Sequence, residues 1–242
     1  ALATGGAVVT SQLLGARRTA DARRSAGQLV SLTFAMGCLM MALCQIFARG
    51  LLKLFFGSIA DDVMAAGLIY LRITALSFPF IALYNAGAAI FRSVGNSKVS
   101  MQVSLWMNGI NVAGNALCVF VLKMGVAGVA VPTLVSRAVA AVMILTMASR
   151  KGQKLTLDAS SLYPIDRQVM GKILRIGIPS ACENSFFQFG RLLVVSMIAL
   201  FGTTQTSANA VANNLDSIGT VVGQAMGLAM VTVVGQSVGA GD

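Results

Sequence analysis

The 242-residue sequence contains no histidine, and its charged residues amount to only 11%. The lack of His removes Ser-His-Asp and Cys-His catalysis and His-ligated metals from this chain. The four cysteines, Cys38, Cys44, Cys118 and Cys182, form no C-x-x-C pair and lie in apolar runs. They read as small buried hydrophobes and imply neither a zinc site nor a disulfide framework. Ordinary globular chains carry roughly 25% charged residues, and a soluble domain could not cover itself with so few. A disordered chain is excluded as well, because 56% of the residues are hydrophobic. With a mean hydropathy of +0.80, the chain belongs in a membrane.

Charge-free windows mark the spans. Residues 25–48, 73–91, 99–122 and 217–241 contain no Asp, Glu, Lys or Arg, and each is about long enough at 1.5 Å per residue to cross a ~30 Å hydrocarbon core. Two further windows hold internal charges: residues 127–148 contain Arg137, and residues 176–201 contain Glu183 and Arg191. These predict six complete helical spans, with Pro79 kinking the second. The runs lack the alternation of a transmembrane β-barrel. Residues 1–14 are apolar but reach only about 21 Å as a helix, and no initiator Met or basic signal region precedes them. They read as the end of a truncated leading helix, and the chain as a fragment.

The net charge of +10 then acquires a topological meaning. Arg17, Arg18, Arg23, Arg24, Arg92, Lys98, Arg150, Lys151, Lys154, Arg167, Lys172 and Arg175 fall in one set of loops. Arg49, Lys53 and Lys123 fall in the other. This asymmetry places loops 15–25, 92–98 and 149–173 in the cytoplasm and excludes nucleic acid as the partner of the positive charge. The expected partner is the lipid bilayer, and the expected location is the inner (plasma) membrane, crossed several times. Residues 51–67 suggest an amphipathic helix along the outer interface. Residues 149–172 read as a linker whose end, 166–174, forms a surface helix.

The two chain ends resemble each other. Val9-Thr10-Ser11-Gln12-Leu13-Leu14-Gly15-Ala16 aligns with Val233-Val234-Gly235-Gln236-Ser237-Val238-Gly239-Ala240, at an offset of 224. Both copies sit at a cytoplasmic helix end in the same phase, which suggests two parallel repeats of about six helices. Gly235-x-Ser237-x-Gly239 also spells a hydrolase nucleophile elbow, but that motif needs a preceding strand and a His partner.

Further motifs occur in order along the chain: Phe91-Arg92-Ser93-Val94-Gly95-Asn96-Ser97-Lys98 in a loop, Asn111-Val112-Ala113-Gly114-Asn115 within a span, and Ile176-Gly177-Ile178-Pro179-Ser180 opening a span. With the two repeat segments, this set resembles the multidrug and toxic compound extrusion (MATE) transporters. The resemblance implies an all-α, polytopic membrane helical bundle that is part of a twelve-helix, two-lobe fold. Residues 1–150 would be most of the N-terminal lobe, 151–173 the inter-lobe linker and 174–242 the start of the C-terminal lobe. The chain would run from the end of helix two through helix eight, and the full-length protein would be monomeric.

Polar residues inside spans are the candidate functional groups, since each is costly in lipid unless paired or facing a cavity. Ser104, Asn108, Asn111 and Asn115 are spaced by 4, 3 and 4 residues, within about 60° of one another on one helical face. This stripe either lines a substrate cavity or forms interhelical hydrogen bonds. In the resembled family the position of Asn115 is often Asp and takes part in cation or proton coupling; Asn115 cannot titrate. Thr74, Ser77 and Asn85, with Tyr84 beside them, form a second stripe, expected close to the first; it either walls a moving cavity or serves packing and Ser/Thr back-bonding. Glu183 lies about one turn beyond Pro179, where a buried carboxylate would serve proton or Na⁺ coupling. Asn184, Gln188 and Arg191 share a neighbouring face and, with Asn108, Asn111, Asn115, Thr74, Ser77 and Asn85, make up the expected substrate cavity. Arg191 would neutralise Glu183 or bind an anionic substrate group. Arg137 reads as snorkelling or paired. Asp216, near Asn213 and Asn214, either caps a helix or joins Glu183 in ion coupling.

The resemblance implies a secondary active transporter: a Na⁺- or H⁺-coupled antiporter that exports organic cations and drugs by alternating access. It would need no cofactor, no metal and no catalytic residue. A lipid-linked oligosaccharide flippase of the same superfamily is the alternative, and should place more basic residues in the cavity. An integral-membrane enzyme would need clustered acids or metal ligands, which the sequence does not offer.

Overall fold

A computed structural model describes residues 2–56, 61–150, 155–157, 166–199 and 202–241. Among the described residues there is no strand. The helices are α1 (Leu2–Gly15), α2 (Thr19–Phe56), α3 (Asp61–Leu76), α4 (Phe78–Ser93), α5 (Ser97–Ala116), α6 (Ala127–Ala148), α7 (Arg167–Ala199) and α8 (Thr203–Ala240), with a π-helical turn over Leu117–Val121 after α5. Four segments are long and apolar enough to cross a membrane: Thr19–Lys53, Ser97–Val121, Ala127–Ala148 and Ser207–Ala240. The bent pair α3–α4 makes a fifth. The expected sixth, residues 176–201, is helical through Ala199 but is not among them. Glu183, Asn184, Gln188 and Arg191 lower its hydropathy.

The expected span at 73–91 is divided between two helices that bend by 40°. Pro79 has no N–H to bond the carbonyl of Ala75, and its ring crowds that carbonyl, so α3 stops at Leu76. Ser77 closes the break: its N–H and its Oγ both donate to the Thr74 carbonyl, at 3.0 and 2.6 Å. The break therefore falls two residues before the proline. The separate interfacial helix expected over 51–67 does not form. Residues 51–56 end α2 and residues 61–67 begin α3, while 57–60 lie outside the described residues. The surface helix expected over 166–174 is likewise continuous with α7. Asp166 caps it, its Oδ1 accepting from the N–H groups of Gln168 and Val169 at 2.9 and 3.3 Å.

Small residues set the packing, as they must where lipid provides no hydrophobic drive between helices. Ala22, Ala26, Ala86, Ala89 and Ala140 are fully or almost fully buried around Leu29 and Ile144. Gly6 lies on Leu29, Gly87 on Ile144 and Gly114 on Pro132; a methyl at any of these three would collide. By contrast, α7 and α8 present exposed apolar faces, including Phe186, Phe187, Ile218 and Val222.

The repeated segments cross each other. Gly15 packs on the backbone carbonyl of Gln236, and Gly239 packs on that of Gln12. Shifted by 224, Gly15 becomes Gly239 and Gln12 becomes Gln236, so each contact is the other's mate. Gly235 meets its own counterpart, Ser11, with an ideal Cβ position 2.8 Å from the Ser11 Cβ. Such reciprocity is what a two-fold relation between the segments requires. Gln236 also bonds Ser93, and Leu157 bonds Ala148. The ends of α1, α4, α6 and α8 and the first turns of α7 thus gather at one end of the bundle, the basic-rich end.

Candidate functional site

α6 organises the membrane interior. On its α5 side, Asn111 Nδ2 donates to Thr133 Oγ1 at 3.1 Å, and Asn115 Nδ2 donates to Asn111 Oδ1 at 3.1 Å. Thr133 Oγ1 in turn donates to the Val129 carbonyl at 3.0 Å. The chain runs Asn115 to Asn111 to Thr133 to backbone, and it leaves Asn115 Oδ1 a buried acceptor without a partner. The helix widens two residues later, at Leu117. Leu122 N–H bonds the Leu117 carbonyl in the i→i−5 pattern of a π-turn, at 3.1 Å, a distortion often found at functional sites. Asn108 does not join this chain and is exposed.

One turn further along α6, Arg137 Nη1 donates to Ser77 Oγ at 2.6 Å. The guanidinium is paired, with a hydroxyl and not a carboxylate. Ser77 Oγ in turn donates a hydrogen bond to the Thr74 carbonyl, while Thr74 Oγ1 is buried without a partner. The two polar stripes therefore do not face each other. α6 stands between them, and no residues of α3 and α5 are in contact. Asn85 separates from Thr74 and Ser77, because the 40° bend at Ser77 redirects α4. Tyr84 Oη reaches the Ser100 carbonyl on α5 at 3.5 Å.

Asn85 lines a cavity of about 570 Å³ between α1, α2 and α4, which Ala181 of α7 also borders. Met36, Met40 and Phe78 form its apolar wall, and Thr4, Thr33 and Arg92 add polar groups. Of the nine residues assigned to a substrate cavity from the sequence, Asn85 alone borders it. Thr133 and Thr33 went unnoticed in the sequence, and Arg92 was read only as a basic loop residue, not as part of a cavity wall. A signal existed for Thr133, which stands four residues from Arg137 on one helical face.

The expectations for α7 and α8 need correction. Glu183 is exposed and forms no ion pair among the described residues. It lies eight residues from Arg191, about 12 Å along the axis, which is too far for a pair. Arg191 Nη2 instead donates to Asn213 Oδ1 of α8 at 3.4 Å. Asn184 Nδ2 bonds its own helix at the Ser180 carbonyl, at 2.7 Å. Gln188 is exposed. Asp216 caps nothing: α8 begins at Thr203 after Gly202, whose φ is +110°, so Asp216 lies well inside the helix. Cys182 is exposed, and Cys38, Cys44 and Cys118 are only partly buried, contrary to the reading of all four as buried.

The MatE family model matches residues 1–117 and 179–242. The chain is 28% identical over 243 residues to an uncharacterized transporter, YisQ, of Bacillus subtilis (strain 168), covering 98% of this chain and 52% of that protein. It is 26% identical over 249 residues to the probable multidrug resistance protein NorM of Thermotoga maritima, covering all of this chain and 52% of that protein. Among solved structures, a MATE crystallised in complex with MaD3S superposes with a TM-score of 0.90 at 21% identity, over 99% of this chain and 54% of that one. An outward-facing multidrug resistance MATE transporter gives 0.89 at 20% identity, over 99% and 53%. The chain spans about half the length of the curated relatives it matches. With the model matched over most of its residues and the helical architecture shared throughout, this integral membrane chain belongs to the MATE family.

Proposed function

We propose that the full-length protein is a secondary active transporter of the plasma membrane, a Na⁺- or H⁺-coupled antiporter that exports organic cations and drugs by alternating access. One observation carries this reading. A cavity with a methionine-rich wall lies beside α1, and the crossing of α1 with α8 closes the basic-rich end of the bundle. A helix bundle closed at one end fits one of the two states that alternating access requires. Methionine adapts its shape to varied apolar ligands, and the relative NorM is a probable multidrug resistance protein. The protein works as a monomer, without a cofactor and without catalytic chemistry.

We place coupling at Glu183, the one carboxylate of α7, with Asp216 of α8 as the second; both are exposed and so open to an incoming cation. The test is efflux of a fluorescent organic cation from vesicles with imposed Na⁺ or pH gradients. Glu183→Gln in the full-length protein keeps its expression and loses gradient-driven efflux, while Glu183→Asp retains part of it. Normal efflux by Glu183→Gln removes the coupling role. Because Arg191 bonds Asn213, adding Arg191→Gln does not restore activity. The flippase reading has one observation of its own: Arg92, the charged residue lining the cavity, is basic. Transbilayer movement of a labelled lipid-linked oligosaccharide in the same vesicles, with no efflux of the cation, favours it.

A further inference from the structure

α1 and α7 turn matched faces toward a cavity of about 560 Å³, which α8 also borders. On α1, Val9, Leu13 and Ala16 line it at spacings of 4 and 3 residues, and so from one helical face. On α7, Val169, Lys172 and Ile176 line it at spacings of 3 and 4. From Asp166, which caps α7, to Ile176 the wall rises by ten residues, about 15 Å along the helix axis. The headgroup layer on each side of a bilayer is only about 5–8 Å thick. A cavity of this depth crosses that layer and ends at the hydrocarbon.

The polarity of the wall changes along that depth. Arg18, Asp21 and Asp166 stand at the mouth. Both carboxylates are engaged: Asp21 accepts from Arg18 Nε at 2.8 Å, and Asp166 Oδ1 accepts from the N–H groups of Gln168 and Val169. Lys172 and Arg175 follow, and neither forms an ion pair or a side-chain hydrogen bond among the described residues. Both are exposed, and their long stems let the charges reach back toward the mouth. Gln12, opposite them on α1, also keeps its side-chain amide unbonded among the described residues. Deeper still the wall is apolar, formed by Ile176, Leu13 and Val9.

We propose that this cavity binds an anionic phospholipid of the cytoplasmic leaflet, with Lys172 and Arg175 on the phosphate, the Gln12 amide on the headgroup and the acyl chains against Ile176 and Leu13. Two unpaired cations in one cavity call for an anion, and a basic-rich end favours the side of the membrane whose surface is anionic. The apolar floor selects an amphiphile, because a soluble phosphate ion gains nothing from it. A zwitterionic headgroup is a poorer match, since its own ammonium meets the same two cations. The methionine-walled cavity between α1, α2 and α4 is a separate space, so the lipid site does not depend on the compound transported.

The test uses the full-length protein with its native cysteines replaced, in phosphatidylcholine vesicles with or without phosphatidylglycerol. Gln168→Cys places a thiol on the cavity wall. Ser149→Cys, at the exposed end of α6, is the control for a general effect of the lipid surface. The rate of modification by uncharged N-ethylmaleimide is measured for each. The expected result is that phosphatidylglycerol protects Gln168→Cys and leaves Ser149→Cys reactive. Lys172→Gln and Arg175→Gln each raise the phosphatidylglycerol fraction needed for half-protection by about five-fold, the weight of one basic residue at an anionic surface. Lys172→Arg and Arg175→Lys keep the charge and keep the protection. Protection by inorganic phosphate in pure phosphatidylcholine overturns the proposal in favour of a soluble anion. So does a Gln168→Cys thiol already unreactive in phosphatidylcholine, because another part of the protein then fills the cavity. Protection that survives the double change Lys172→Gln with Arg175→Gln overturns the assigned contacts, and equal reactivity of Gln168→Cys in both vesicle types removes the site altogether.

Discussion

Gly239 of α8 rests on the backbone carbonyl of Gln12, and no side chain fits between them. The mirrored contact, Gly15 on Gln236, comes from the same sequence positions one repeat away. A close crossing built on glycine lets two helix backbones approach without a hydrophobic drive, as membrane helices require.

Enlarging this crossing pushes α1 and α8 apart. Gly239→Val and Gly15→Val each force backbone movement, and overpacking of this kind costs typically 1–3 kcal/mol. The measurement is thermal unfolding of the full-length protein in detergent. Gly109→Ala is the control: nothing lies within 4 Å of a Cβ there. In a helix interior, Ala for Gly is favourable by roughly 0.5–1 kcal/mol, so this variant matches or exceeds the parent.

Asn111 is the middle link between Asn115 and Thr133, so its loss costs two contacts. The bond to Thr133 is interhelical, and such bonds in membranes average about 0.6 kcal/mol; the bond to Asn115 is an i,i+4 pair within α5, worth roughly 0.2–0.5 kcal/mol, so Asn111→Leu destabilises by about 1 kcal/mol. Thr133→Val removes one contact and costs about half as much. In a double-mutant cycle read by thermal unfolding, the two changes are less than additive, because they share one hydrogen bond. Full additivity contradicts the link.

Ser77 both closes the α3–α4 break and accepts from Arg137. Ser77→Ala leaves a guanidinium within the membrane without that acceptor. Hydrogen bonds to charged groups contribute roughly 1.5–3 kcal/mol, and a loss of that size is expected in thermal unfolding. Arg137→Leu in the Ser77→Ala background recovers part of the loss, since it removes the stranded charge; further destabilisation argues against the pairing.

Much of the architecture was legible in the amino-acid order alone. Low charge and long apolar windows fix helices in a membrane, because a bilayer admits little else for such runs. The asymmetric basic residues mark one end of the bundle, and the described parts of their loops do gather there. The repeat offset of 224 matches Gly15 with Gly239, but that each packs on a glutamine carbonyl of the other segment appears only in the tertiary structure. Azimuth and partner choice were not legible, because helical periodicity is local whereas interhelical contacts depend on which small residues let two backbones approach. The stripe on α5 could be drawn from spacing, but its partner Thr133 stands on α6, between the two stripes expected to meet. Pro79 announced a kink, yet Ser77 and Thr74 decided where the chain breaks and so turned Asn85 away from its neighbours. Glu183 and Arg191 looked like a pair in one dimension. In three, about 12 Å of helical rise separates them, and Asn213 on the next helix takes the arginine.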